Sequence, residues 1–273
     1  MRASVMLGTE IVNWEQHLVE ENRPLSSSSP VRHGYLLVGH GTRREDGQQQ
    51  FKNVFEQFAE EIAPSTCAMA FLELADPDIP SAIEQLAQLQ VSQITVVPVL
   101  LFEAGHALED IPVEVSKAAN RYNIEIAAQT GAFKSAKPVL ELSALRFFES
   151  LRGELLSDDE GETCDKSFAG NDLSAKVALL MIGRGSNSPT ATAEMRNFTK
   201  KRCELTPVSW SQTGFIHGQR PTVEEAFAEL EARPEPNKVV QPHLIFEGLL
   251  SQEIEERVQQ IQKQNPGQRW FVT

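Results

Sequence analysis

Cysteine and long apolar runs are scarce in this chain of 273 residues. The cysteines, Cys67, Cys164 and Cys203, are three in number and form no CxxC pair, which argues against a zinc ribbon, an iron–sulfur site and a disulfide scaffold. No apolar run approaches the roughly 18 residues that cross a bilayer. The first residues show no basic segment followed by a long apolar one, so we predict no signal peptide. We expect a cytoplasmic protein with no membrane partner.

Positive charge is also in short supply. The chain has 25 Lys and Arg residues against 38 Asp and Glu residues, which gives a formal net charge of -13. We therefore expect no nucleic-acid partner, and an anionic ligand would need locally clustered arginines. Hydrophobic residues make up 41% of the chain, enough for a globular protein with a substantial core.

Apolar runs alternate with helical patterns from His33 onward. The run "YLLVGHG" precedes a stretch with phenylalanines at helical spacing, and "QITVVPVLLF" precedes the helical pattern "DIPVEVSKAANRY". Buried strands that alternate with helices are typical of parallel sheets. The sequence therefore predicts an α/β fold in which mainly parallel sheets carry helices on both faces.

The second half of the chain repeats the first at a single offset of 144 residues. The block Gly39-His40-Gly41-Thr42 falls on Gly183-Arg184-Gly185-Ser186, and "VVPVLLFE" falls on "VQPHLIFE". Several ungapped blocks on one offset predict two homologous α/β domains. The predicted divisions are a disordered N-terminal extension over 1–32, an N-terminal domain over 33–152, an acidic linker over 153–174 and a C-terminal domain over 175–273.

Three polar side chains of the first repeat end or follow apolar strands: His40, Glu73 and His106. Ligands bind outside the carboxyl ends of the strands in open parallel sheets, so these side chains are expected at one edge. Two imidazoles and a carboxylate suit a divalent transition metal with open coordination positions. There are three alternatives to a metal site. The histidines could be structural, the glutamate could cap a helix or form an ion pair, and "VGHG" could be a phosphate-binding loop.

The second repeat is an internal control for these alternatives. It has Arg184 in place of the first histidine, His217 in place of the glutamate, and Leu250 (or Leu249, with a one-residue gap) in place of the second histidine. The framing glycines and the apolar strands persist. A structural role would persist in both copies, so the loss indicates a functional site in the first repeat alone.

Five motifs of the chain resemble those of the sirohydrochlorin chelatases, the SirB and CbiX group of class II tetrapyrrole chelatases, in their two-domain long form. The motifs are "LLVGHGTR", "AFLELADPDIPSAIEQL", "VVPVLLFEAGHALEDIP", "LLMIGRGS" and "LIFEGLLSQEIEERV". The resemblance runs from about Tyr35 to the C-terminus and leaves residues 1–32 outside it. It implies a lyase that inserts Co²⁺ or Fe²⁺ into sirohydrochlorin, in cobalamin or siroheme biosynthesis. The metal is then a substrate, and no organic cofactor is implied.

Carried over to this chain, the resemblance implies that His40, Glu73 and His106 bind the metal and act in catalysis. His40 would also accept a pyrrole proton, and Glu73 would supply an anionic ligand or relay protons. The expected substrate-binding residues leave room for a flat macrocycle or pair with its carboxylates; they are Gly39, Gly41, Arg43, Arg44, Gly105 and Arg184. The alternatives are a non-catalytic metal or tetrapyrrole carrier and a chelatase for another metal or tetrapyrrole.

Overall fold

The computed structural model describes residues 31–102, 105–155 and 176–273, with the backbone alone for 105–108 and 152–155. The predicted extension and the predicted linker lie almost entirely outside these residues.

The first repeat forms a four-stranded parallel sheet. Its strands and helices along the chain are β1 (His33–Gly39), α1 (Glu45–Glu61), β2 (Thr66–Phe71), α2 (Ile79–Gln88), β3 (Gln93–Val99), α3 (Gly105–Tyr122) and β4 (Glu125–Gln129). The strand order is β2-β1-β3-β4, and every pairing is parallel. This arrangement confirms the predicted α/β class.

Helices cover both faces of this sheet because successive side chains of a strand point to opposite faces. Leu36 and Val38 of β1 join a fully buried core with α2 and α3. On the other face the α1 side chain Phe51 is fully buried, and its ring centroid lies 4.9 Å from that of Phe71. The α2 helix begins where the Asp78 carboxylate accepts a hydrogen bond from the Ser81 N–H at 2.8 Å, a standard N-cap.

The second repeat forms a second sheet of the same design. Its elements are α4 (Lys137–Leu155), β5 (Val177–Gly183), α5 (Pro189–Leu205), β6 (Trp210–Phe215), α6 (Val223–Glu231), β7 (Asn237–Pro242), α7 (Leu249–Gln264) and β8 (Arg269–Val272). The strand order is β6-β5-β7-β8, again with parallel pairing throughout. The strands β5 and β6 and the helix α5 have the bounds of β1, β2 and α1 shifted by 144 residues. The predicted duplication is therefore confirmed element by element.

The chain divides into two compact units, which differ from the predicted domains at one helix and one short segment. Unit 1 comprises residues up to Phe133 together with Phe246–Gly248, and unit 2 comprises Lys134–Ile245 and Leu249–Thr273. The helix α4, predicted to belong to the first domain, packs against α5 and β8 and so belongs to unit 2. None of the described helices is long and apolar enough to cross a membrane.

Candidate active site

The candidate site of unit 1 lies where the strand order changes direction. The chain passes from β1 to β2 on one side of β1 and then crosses to β3 on the other side. The loops after β1 and β3 therefore leave this edge of the sheet in opposite directions. Such a point in an open parallel sheet leaves a crevice outside the carboxyl ends of the strands. His40 comes directly after β1, and Glu73 comes two residues after β2.

The structure brings the His40 and Glu73 side chains together. The Nε2 atom of His40 lies 3.3 Å from the Oε1 atom of Glu73. The imidazole is 26% exposed and the carboxylate 52% exposed, so the pair reaches from a half-buried position to solvent. An imidazole can bind a metal or take up a proton, and a carboxylate beside it can receive that proton.

Backbone hydrogen bonds hold the two loops against each other. The Leu72 N–H donates to the Gly39 carbonyl at 2.8 Å, and the Glu73 N–H donates to the His40 carbonyl at 3.1 Å. Gly41 has a φ of +99°, and a Cβ there would overlap the carbonyl oxygen of Glu73. Only glycine permits both this backbone conformation and this close approach.

The two glycines that frame His40 make room for protein atoms in this structure. A Cβ at Gly39 would lie 3.2–3.3 Å from the ring atoms of Phe51, and one at Gly41 would meet the Glu73 backbone. The second repeat shows the same packing, since Gly183 meets Met195 and Gly185 meets the His217 backbone. The place of Gly39 and Gly41 in substrate binding stays a prediction.

The two arginines after the loop differ in their surroundings. Arg43 is exposed. Arg44 precedes α1, and its Nη2 atom lies 2.8 Å from the Asp46 carboxylate. The Thr42 hydroxyl accepts a hydrogen bond from the Arg44 N–H at 3.2 Å, which fixes the turn between them. Arg44 is thus partly neutralised, whereas Arg43 is presented to solvent at the edge of the site.

The third predicted ligand, His106, lies in the first turn of α3, which begins at Gly105. Its side chain lies outside the described residues. Among the side chains that are described, no group of three His, Cys, Asp or Glu residues is arranged to hold a metal ion. The described part of the predicted set is therefore the pair His40 and Glu73.

The equivalent place in unit 2 has the same backbone with different chemistry. The His217 N–H donates to the Arg184 carbonyl at 3.0 Å, which is the counterpart of the bond between Glu73 and His40. Arg184 and His217 are both exposed. The same loop geometry thus survives without the histidine and the glutamate, which supports a role of that pair beyond the fold.

One residue that sequence reasoning missed is Leu74, which directly follows Glu73. It has a φ of +66°, a conformation that costs a residue with a Cβ about 1–3 kcal/mol. It is also 46% exposed. The counterpart at the 144-residue offset is Gly218, with a φ of +68°. This substitution between the repeats is the only sequence signal that could have pointed to it.

Comparison with known proteins identifies relatives that are named sirohydrochlorin chelatases. A family model described as CbiX matches residues 34–142 and 178–273. The sirohydrochlorin ferrochelatase of Bacillus subtilis (strain 168) is 28% identical over 239 residues, which cover 86% of this chain and 83% of the relative. The sirohydrochlorin cobaltochelatase of Priestia megaterium is 26% identical over 235 residues, which cover 84% of this chain and 70% of the relative.

A solved structure extends the likeness to the fold of most of the chain. SirB from Bacillus subtilis with Fe³⁺ matches at a TM-score of 0.71 and 26% identity, covering 88% of each chain. The matched segments of the family model fall in both repeats and together span well over half of the sequence. This protein belongs to the CbiX family.

Proposed function

We propose that this protein is a sirohydrochlorin chelatase that inserts Co²⁺ or Fe²⁺ into sirohydrochlorin, in cobalamin or siroheme biosynthesis. The observation that carries the proposal is the contact of 3.3 Å between His40 Nε2 and Glu73 Oε1 in the candidate site of unit 1. The matched loop of unit 2 keeps its backbone bonds and loses both side chains. The relatives named above carry the same activity in their names.

The reaction exchanges a divalent metal for two protons of the pyrrole nitrogens. In its neutral form His40 accepts these protons one at a time, and Glu73 at 3.3 Å receives each from the imidazole before the next is taken up. Because the carboxylate is 52% exposed, it passes the proton on to water. The pair thus forms a short relay from the half-buried ring to solvent.

The metal reaches the macrocycle as a substrate and must leave the protein with the product. An open site with few protein ligands suits this task better than a closed tetrahedral one. His40 and Glu73 supply one nitrogen and one oxygen donor, and His106, in the first turn of α3, is the proposed third. A mixed set of this kind accepts both Co²⁺ and Fe²⁺.

Sirohydrochlorin carries several carboxylates, so the substrate needs cations in a protein of net charge -13. Arg43 is exposed beside the loop, and Arg44 shares its charge with Asp46. In unit 2 the exposed Arg184 takes the position of His40. Within unit 1 we assign Arg43 the larger part of this role and Arg44 the smaller part, and Arg184 stays a predicted substrate-binding residue.

The proposed setting is the cytoplasm, with the tetrapyrrole and the metal as the small-molecule partners. Neither nucleic acid nor a membrane is part of the proposal, because the chain is strongly acidic and its chemistry is directed at a soluble macrocycle.

The first prediction concerns the rate of metallation. Purified protein is mixed with sirohydrochlorin and Co²⁺ or Fe²⁺, and the absorbance change of the ring is followed against the protein-free rate. We expect His40→Ala to lower kcat by about 100-fold, the scale of a lost general base. His217→Ala, which alters the matched loop of unit 2, should leave kcat unchanged.

Two outcomes would overturn the proposal. If wild-type protein is no faster than the spontaneous reaction, it is not a chelatase for that substrate. If it binds sirohydrochlorin tightly without accelerating metallation, the carrier alternative is correct instead.

A further inference from the structure

Leu74, whose side chain is 46% exposed, lies in the loop that carries the Glu73 member of the proposed proton relay. It follows Glu73, whose carboxylate contacts His40. Its loop is closed by three backbone hydrogen bonds. Two of them join Leu72 to Gly39 and Glu73 to His40, and the third runs from the Phe71 N–H to the Pro77 carbonyl at 2.8 Å. Leu74 therefore lies in a loop whose backbone hydrogen bonds also hold Glu73 in place.

The positive φ at Leu74 is not explained by a helix C-terminus. Three other residues with a Cβ have positive φ. Gln90 and Asn123, at +61° and +54°, lie within two residues of a helix C-terminus. Lys134, at +49°, lies in the loop before α4, where its side chain forms an ion pair with Glu194. The bonds from Val91 N–H to the Leu86 carbonyl and from Ile124 N–H to the Ala119 carbonyl are those of a helix C-terminal motif. Leu74 ends no helix, so this motif does not explain its conformation.

The second repeat shows what this loop position adopts where the candidate pair is absent. Gly218 has nearly the same φ, +68°, and a Cβ there would lie 3.1 Å from the Asn187 side chain. The three loop-closing bonds are all present there too, at 3.0–3.1 Å. The fold is thus satisfied by glycine at this position. Unit 1 instead has a strained leucine that is 46% exposed, beside the pair that unit 2 lacks.

We propose that Leu74 is a substrate-positioning residue, whose apolar side chain contacts the face of the macrocycle and sets it over His40 and Glu73. This inference rests on the proposed function. A tetrapyrrole has a flat apolar face and a charged rim. An exposed leucine next to the relay serves the face, while Arg43 in the neighbouring loop serves the rim. Apolar contact of this kind stabilises bound ring and reacting ring alike, so its removal raises KM more than it lowers kcat.

The test compares Leu74→Gly with Leu74→Met in steady-state metallation. Leu74→Gly installs the residue of the second repeat and removes the backbone strain, so stability should stay constant or rise. We expect its KM for sirohydrochlorin to rise about fivefold to tenfold, the value of one apolar side-chain contact, with kcat within about twofold of wild type. Leu74→Met keeps an apolar side chain and should keep KM within about twofold.

Two control variants match the substitution elsewhere in unit 1. Gln90→Gly removes a Cβ at positive φ after α2, and Leu89→Ala removes a leucine side chain that is 49% exposed. Both should leave KM and kcat as in wild type. If Leu74→Gly has the same KM as these controls, or if it lowers kcat and the unfolding temperature together, Leu74 acts in the fold alone and the inference is wrong.

A binding measurement separates this inference from the proposed function. Metal-free sirohydrochlorin is titrated into each variant, and Kd is taken from the absorbance change of the ring. If wild-type protein binds the ring without metallating it and Leu74→Gly weakens Kd, the positioning role stands and the proposed reaction falls. If wild type metallates the ring and Leu74→Gly binds it equally well, the reaction stands and the positioning role falls. Absence of binding by wild-type protein overturns both.

Discussion

Gly41 lets the loop after β1 lie directly against the loop after β2, and Gly185 does the same in unit 2. Each has positive φ, at +99° and +82°, and a Cβ at either position would overlap a backbone carbonyl, that of Glu73 or that of His217. The two glycines thus make one contact in two chemical settings. They form a matched pair in which the catalytic effect of a substitution can be separated from its effect on stability.

The variants Gly41→Ala and Gly185→Ala test this separation. Both should lower the free energy of unfolding by about 2 kcal/mol or more, since each forces a Cβ into a left-handed conformation and against a carbonyl. Only Gly41→Ala displaces Glu73 from His40, so only it should lower kcat. Urea unfolding and metallation kinetics of the two variants provide the measurements. Equal losses of kcat in both would show that the contact between His40 and Glu73 is not what the reaction needs.

The pair of His40 and Glu73 could be predicted from the sequence, whereas the surroundings of that pair could not. Both residues follow apolar strands, and neighbouring parallel strands place their ends side by side. The internal repeat then removed the structural alternative. The packing role of Gly39 could not be predicted, because it depends on Phe51, which approaches it from α1. Leu74 was missed because residue type does not indicate a positive φ unless the residue is a glycine.

The strands and helices followed the repeat closely, with α3 as the clearest departure. The helical pattern predicted from the sequence begins at Asp110, in "DIPVEVSKAANRY". In the structure α3 starts at Gly105 and contains Pro112. His106 therefore lies on a helix instead of in a loop. A proline costs a helix one hydrogen bond, and α3 continues through it because its buried residues, Ile111 and Val115, pack into the core of unit 1.

The end of strand β7 carries a buried histidine that belongs to the core of unit 2. His243 is 8% exposed, and its ring centroid lies 3.9 Å from that of Phe198 on α5. Its backbone N–H donates to the Ile182 carbonyl at 2.8 Å. Burial lowers the pKa of His243 to about 4, so the imidazole is neutral in the folded protein at neutral pH.

This burial predicts how the stability of unit 2 depends on pH. The unfolded chain binds a proton at His243 with a pKa near 6.5, and the folded chain does so only near 4. The contribution of His243 to stability is therefore complete above about pH 6.5 and is lost as the pH falls toward 4. Between pH 7 and pH 5 the loss should be about 2 kcal/mol.

Urea unfolding at the two pH values, followed by the fluorescence of Trp210 and Trp270, tests this dependence. His243→Gln should remove about 2 kcal/mol of the difference between pH 7 and pH 5. Ile254→Val, in the same unit, is the control: it should cost about 1 kcal/mol at both pH values and leave the difference intact. An unchanged difference in His243→Gln would mean that other groups carry the acid sensitivity.

At the scale of the whole molecule, the division into compact units does not follow the division into repeats. The helix α4 follows β4 in the chain, yet its buried face belongs to unit 2. The Gln241 side chain donates to the Ser143 carbonyl at 2.7 Å. The fully buried Arg202 guanidinium lies 4.1 Å from the ring centroid of Phe147. The repeats are defined by matching residues along the sequence. The packing of α4 is determined instead by the apolar surface of unit 2 that it covers.

This packing predicts that the foldable second half of the protein starts before α4. A fragment of residues 134–273 should unfold in one cooperative transition, and a fragment of residues 176–273 should not. The shorter fragment loses the buried side chains of Phe147 and Leu151, worth about 3–6 kcal/mol, against a total stability of about 5–15 kcal/mol for an ordinary domain.

Near-ultraviolet circular dichroism and urea titration distinguish the two fragments. The variant Phe147→Ala in the longer fragment gives the graded control, with an expected loss of about 3–5 kcal/mol. Equal unfolding free energies for the two fragments would place α4 outside the cooperative unit. In that case the sequence division at residue 152 would describe the folding unit better than the packing does. A loss in the Phe147→Ala variant would instead show that the core of unit 2 depends on a helix encoded before its first strand.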